Sequence, residues 1–174
     1  QRIVLAFRCA DPAGVDETSA IDPDAQHPYG RHRLRLEEAF RSYNPSGLVV
    51  RLPALFGAGL KKNAIFDLLH SHETWKLHAG SRFQFYDLDR LWPDLERFRA
   101  GGVSLINVAS EPVTLADACK EAFGFPFDND PGTPPARYDV RSQHASAFGN
   151  SDTRCCVVPR RRRLRFGEAR PDAL

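Results

Sequence analysis

Three short apolar runs constrain this chain more than any other feature: "RIVLAF" at residues 2–7, "LVVRL" at 48–52 and "VSLINVAS" at 103–110. Each is too short for a core helix, and segments with helical spacing separate them. A strand needs a continuous apolar run when both of its faces are covered, as they are in a parallel sheet. Strands that alternate with helices in this way predict an α/β fold with a mostly parallel sheet.

The intervening segments carry their own signals. Pro28 suits the first position of a helix, and from there Tyr29, Arg33, Leu36 and Phe40 fall at i, i+4, i+7 and i+11 along one stripe, ended by Asn44-Pro45 and Gly47. Tyr29 is then either a buried anchor or, with a cation one turn away, a proton-transfer group, and spacing alone favours the anchor. Asn63 opens "NAIFDLLHSH", whose apolar positions are Ile65, Phe66, Leu68 and Leu69. "SRFQFYDL" alternates Phe83 and Phe85 as a strand and ends in an acidic cap, Asp87. "DLDRLWPDLERFRA" places Leu88, Leu91, Leu95 and Phe98 on one helix face with Pro93 near its start, and "TLADACKEAFG" is a helix capped by Thr114 and closed by Gly124. Residues 8–27, the Pro53-bounded stretch up to Gly59 and residues 125–150 read as loops.

Length and composition permit one core: 174 residues, 42% hydrophobic. No run approaches the roughly 20 apolar residues of a membrane span and no signal-peptide pattern opens the chain, so a cytoplasmic location is expected. Cys9, Cys119, Cys155 and Cys156 form neither a CxxC pair nor a dense framework, which predicts reduced thiols. His70 and His72 alternate without a further ligand at a familiar spacing, so they read as solvated loop residues and no metal is expected. Net charge is +2, but residues 154–174 carry seven Arg against one Glu and one Asp, a local +5 that leaves −3 elsewhere. With few aromatics between its arginines, residues 151–174 read as a basic, disordered tail rather than a nucleic-acid site.

In order, the long loop, "YGRHR", "VVRLPALFG", "FQFYDLDRLW" and "INVASEP" give a further lead: over residues 1–150 the chain resembles extended short-chain dehydrogenase/reductase proteins of the NAD-dependent epimerase/dehydratase type, in the C-terminal portion of their domain. The resemblance implies a partial Rossmann-like sheet with flanking helices, lacking the N-terminal dinucleotide-binding half with its glycine-rich turn. It implies NAD or NADP as cofactor and a small-molecule substrate such as a nucleotide sugar, with homo-oligomers expected and no membrane partner.

That family uses a tyrosine as general acid/base and, four residues later, a lysine that holds the nicotinamide ribose and lowers the tyrosine pKa. The matching positions are Tyr29 and Arg33, so arginine stands where the family has lysine: the charge is kept and the geometry changed. Pro53, Leu55 and Phe56 match nicotinamide-facing backbone, and Lys61, Lys62 and Asn63 match the start of the substrate pocket, where they would meet phosphates. The family's Ser or Thr that bonds the reacting oxygen has no counterpart in "VLAFRCADPAG", and Thr18 and Ser19 lie beyond it. Two functions follow as expectations: an NAD(P)-dependent epimerase, dehydratase or reductase, or a non-catalytic remnant or interaction module of the same fold.

Overall fold

A computed structural model describes residues 3–7, 13–57, 59 and 63–148. Lys61, Lys62, three of the four cysteines and the expected basic tail lie outside the described residues.

The predicted parallel sheet is present. β1 (Ile3–Phe7), β3 (Leu48–Leu52) and β7 (Leu105–Asn107) form a three-stranded sheet with β3 at its centre. Both pairings are parallel: Ile3 lies beside Leu48 and Phe7 beside Leu52, while Val49, Val50 and Arg51 lie beside Leu105, Ile106 and Asn107. All five residues of β3 are buried, as a two-sided strand requires.

Crossover helices follow the strands. α1 (Pro28–Tyr43) has Pro28 in its first turn and His27 as N-cap, whose ring nitrogen accepts from the Tyr29 amide at 3.3 Å. It stops at Asn44, whose backbone and side-chain amides both donate to the Phe40 carbonyl. The chain then turns so tightly under α1 that a β-carbon at Gly47 would stand 2.5 Å from the Phe40 ring, so any larger residue there requires that ring to shift. α3 (Leu91–Ala100) accommodates Pro93 in its first turn, where no intrahelical N–H is required, and buries Leu95 and Phe98.

One face of the sheet meets α3. Leu48, Val50, Leu52, Ile106 and Val108 pack there with Leu95, Phe98, Tyr86, Val103 and Phe148, the Phe98 and Phe148 rings meeting edge to face at 5.0 Å. A second, smaller core gathers Ile65 and Leu68 of α2 (Ala64–Leu69), Phe85, and Leu115, Ala118 and Cys119 of α4 (Leu115–Phe123). Thr114 caps α4 by accepting from the Asp117 amide at 3.0 Å, and Gly124 closes it with a left-handed φ of 75°.

Several expected loops contain short strands. β4 (Ala54–Phe56) occupies the Pro53-bounded stretch and pairs in parallel with β6 (Phe85–Asp87). β2 (Ala13–Val15) pairs in parallel with β9 (Asp139–Val140). "SRFQFYDL" does not form one strand: β5 (Arg82–Phe83) pairs antiparallel with β8 (Val113–Thr114), and the chain changes sheet at Gln84 before β6. Gln84 is buried and holds that junction, donating to the Ser110 and Val140 carbonyls and accepting from the Val140 amide. Nor is the stretch after Phe125 wholly loop, since Ser142, Ala145 and Phe148 are buried and Phe148 belongs to the main core.

Candidate active site

Tyr29 and Arg33 meet as their spacing predicts. Arg33 Nε donates to Tyr29 Oη at 3.1 Å, and the guanidinium carbon lies 5.1 Å from the ring centroid, so the cation is held at both the hydroxyl and the ring. Tyr29 is 44% exposed and is therefore no core anchor. Leu36, on the same stripe, is exposed too, and the positions of α1 that are buried are Gly30 and Glu37.

Glu37 was not legible as a site residue. Its carboxylate accepts two hydrogen bonds from the Arg51 guanidinium, from Nε at 3.0 Å and from Nη2 at 2.7 Å, and both side chains are buried. A bidentate charged pair of this geometry is among the stronger polar contacts a fold can make. The signal that could have found it is the arginine itself, a charge inside a run that otherwise reads as a fully covered parallel strand.

A second carboxylate ties the long loop before α1 to the same end of the sheet. Glu17 Oε1 accepts from the Asn107 amide at 2.7 Å and the Ser142 hydroxyl at 2.6 Å, and Oε2 accepts from the Gln143 amide at 2.9 Å. Asn107 Nδ2 donates to the Arg141 carbonyl at 3.0 Å. Arg51 and Asn107, neighbours across β3 and β7, thus place polar groups at the carboxyl ends of parallel strands, where ligand sites of open α/β sheets form.

The remaining candidates are dispersed. Thr18 and Ser19 direct their hydroxyls at Asp16 Oδ1, and the Thr18 side chain, with its amide, holds the Asp16 carboxyl below its ordinary pKa. Leu55 packs against the main core and Phe56 against the smaller one, while Pro53 is half-buried between β3 and β4. Asn63 caps α2 by accepting from the Phe66 amide at 3.0 Å and donates its side-chain amide to the Leu55 carbonyl. His70 packs on the Phe66 ring and His72 Nδ1 lies 3.2 Å from Asp67 Oδ1. Among the described residues no group of three His, Cys, Asp or Glu is placed to hold a metal, and no helix is long and apolar enough to cross a membrane.

Neither a family-level sequence profile nor a curated protein sequence matches this chain. Solved structures do. A UDP-glucuronic acid 4-epimerase from Bacillus cereus in complex with NAD superposes with a TM-score of 0.61 at 13% identity, over 90% of this chain and 57% of that one. A dTDP-4-dehydrorhamnose reductase from Clostridium acetobutylicum gives 0.61 at 14% identity, over 88% and 61%. A dTDP-glucose 4,6-dehydratase from Streptomyces venezuelae with NAD bound gives 0.55 at 13% identity, over 83% and 52%. This chain therefore has a Rossmann-like, mostly parallel α/β fold. More narrowly, that fold is the one found in NAD-dependent epimerase/dehydratase enzymes, and the chain spans a little over half the length of the structures it matches.

The residues present fit the nicotinamide-ribose end of such a cofactor. The α1 surface offers an exposed phenol whose hydroxyl already receives a guanidinium hydrogen bond.

Proposed function

We propose that this chain carries out tyrosine-dependent proton transfer in NAD(P)-linked chemistry at a hydroxyl or carbonyl carbon of a nucleotide sugar. The observation that carries the proposal is the 3.1 Å contact from Arg33 Nε to Tyr29 Oη on the exposed face of α1. A cation donating to a phenol oxygen stabilises the negative charge left when the proton departs, as a general acid/base tyrosine requires. The structural neighbours, which include nucleotide-sugar epimerases and dehydratases, support the same kind of chemistry.

NAD or NADP, when bound, supplies hydride acceptance and return. Tyr29, as phenolate, removes the proton from the substrate hydroxyl and returns it to a carbonyl oxygen in the reverse direction. Arg33 stabilises the phenolate and places a cation where the nicotinamide ribose would lie. Pro53, Leu55 and Phe56 would line the nicotinamide, and Lys61 and Lys62 would contribute charge to the phosphates of the sugar nucleotide, next to Asn63, which holds the start of α2.

The test is turnover of UDP- and dTDP-hexoses with NAD and NADP, read at the nicotinamide absorbance and by product chromatography. Tyr29→Phe is expected to lower turnover roughly 10²- to 10⁴-fold, the usual worth of a positioned acid/base group. Turnover unchanged in Tyr29→Phe contradicts the mechanism. A wild-type chain that folds and turns over none of these substrates favours the alternative, a non-catalytic module, which the arginine in place of a compact ammonium also favours.

A further inference from the structure

Tyr29, Arg33 and Glu37 follow one another at four-residue steps on α1, and each step turns the side chain by about 40° around the helix. The stripe accordingly passes from the exposed Tyr29 to the buried Glu37, with the half-buried Arg33 between them. Arg33 therefore has an acceptor one turn away in each direction along the helix, the phenol on one side and a carboxylate on the other. A carboxylate attracts a guanidinium more strongly than a neutral phenol does. In this structure Arg33 Nε is nevertheless on Tyr29, while both Glu37 oxygens are taken by Arg51. Arg51 Nη1 is buried and makes no hydrogen bond among the described residues, so the guanidinium is committed to Glu37.

We infer that Arg51 is a positioning residue for the Tyr29 site: by occupying Glu37 it prevents that carboxylate from drawing Arg33 off the phenol. The inference deepens the proposed tyrosine–arginine site and takes its functional meaning from that reading, but its geometry can be measured without turnover. It also separates two roles for a buried ion pair. A pair that merely fastens α1 to the sheet fails in the same way whichever partner is removed. A pair that sequesters Glu37 fails only when Arg51 is removed, and recovers when Glu37 is neutralised as well.

The experiment uses NMR on the full chain. The Arg33 side chain lies over the Tyr29 ring, so its δ-protons carry a ring-current shift, defined as their difference between wild type and Tyr29→Leu. Arg51→Gln is expected to lose most of that shift, Glu37→Gln to retain it, and the Arg51→Gln/Glu37→Gln double variant to recover it. If Arg51→Gln does not fold, Arg51→Lys, which keeps the charge but grips one oxygen instead of two, is expected to lose part of the shift and to regain it when combined with Glu37→Gln. Three results overturn the inference: a shift that survives in the Arg51 variants, a loss in Glu37→Gln equal to that in Arg51→Gln, or a double variant that recovers nothing. Absence of turnover in the wild type removes the proposed function and leaves this readout intact.

Discussion

The two faces of β3 differ sharply although they are one residue apart. Leu48, Val50 and Leu52 look toward α3 and are sealed by Leu95, Phe98 and Phe148, with no charge among them. Arg51, on the other face, is also buried and is spent on Glu37 of α1. Burying a charged pair stabilises a fold less than well-packed apolar side chains of similar volume would. The face beneath the Tyr29 helix therefore forgoes stability that the α3 face collects.

Phe98→Ala should produce the largest effect, a loss of about 3–5 kcal/mol in urea unfolding, since a fully buried aromatic ring leaves a cavity against Phe148. Arg51→Met should cost about 3 kcal/mol, because Glu37 is left as an uncompensated buried charge, while Arg51→Met/Glu37→Leu should return most of that stability. A double variant no more stable than the single one would remove the contrast between the faces.

Alkaline pH acts on the cores from within. Burial pushes the Cys119 thiol up to about 11 and raises the Tyr86 hydroxyl as well, the latter with Asp94 alongside at 3.0 Å. For a group raised on folding, stability is fully present below its unfolded pKa and is lost as pH rises through the folded one. Cys119 thus predicts a decline that begins near the ordinary thiol value of 9.0 and continues through about 11, and Cys119→Ala should flatten it. Unfolding curves collected from pH 8 upward measure this, and the same decline in Cys119→Ala would assign it elsewhere. The smallest effect belongs to Tyr29→Phe, which should change stability by no more than about 0.5 kcal/mol because the side chain is largely exposed.

The strands of the central sheet were readable because each is an apolar run, and the helices because Pro28, Asn63, Thr114 and Gly124 mark their ends with definite backbone chemistry. β2, β4 and β9 were not, since two or three residues give no period and their partners lie far along the chain. Phe148 escaped notice for a related reason: a single phenylalanine in a stretch without periodicity gives no sign that it reaches Phe98. Within the site, the Tyr29–Arg33 contact follows from helical spacing. Its supporting pairs do not, because Glu37 finds Arg51 on another element and Glu17 reaches Asn107 and Ser142 across 90 and 125 positions.

The most direct test of the central claim, that Tyr29 and Arg33 form the nicotinamide-facing end of a cofactor site, is a fluorescence titration of the purified chain with NADH and NADPH beside Arg33→Ala. Saturable binding that weakens roughly tenfold or more in the variant, the worth of a charge-assisted hydrogen bond, is the predicted result. No binding at millimolar cofactor, or binding that Arg33→Ala leaves unchanged, would contradict the claim.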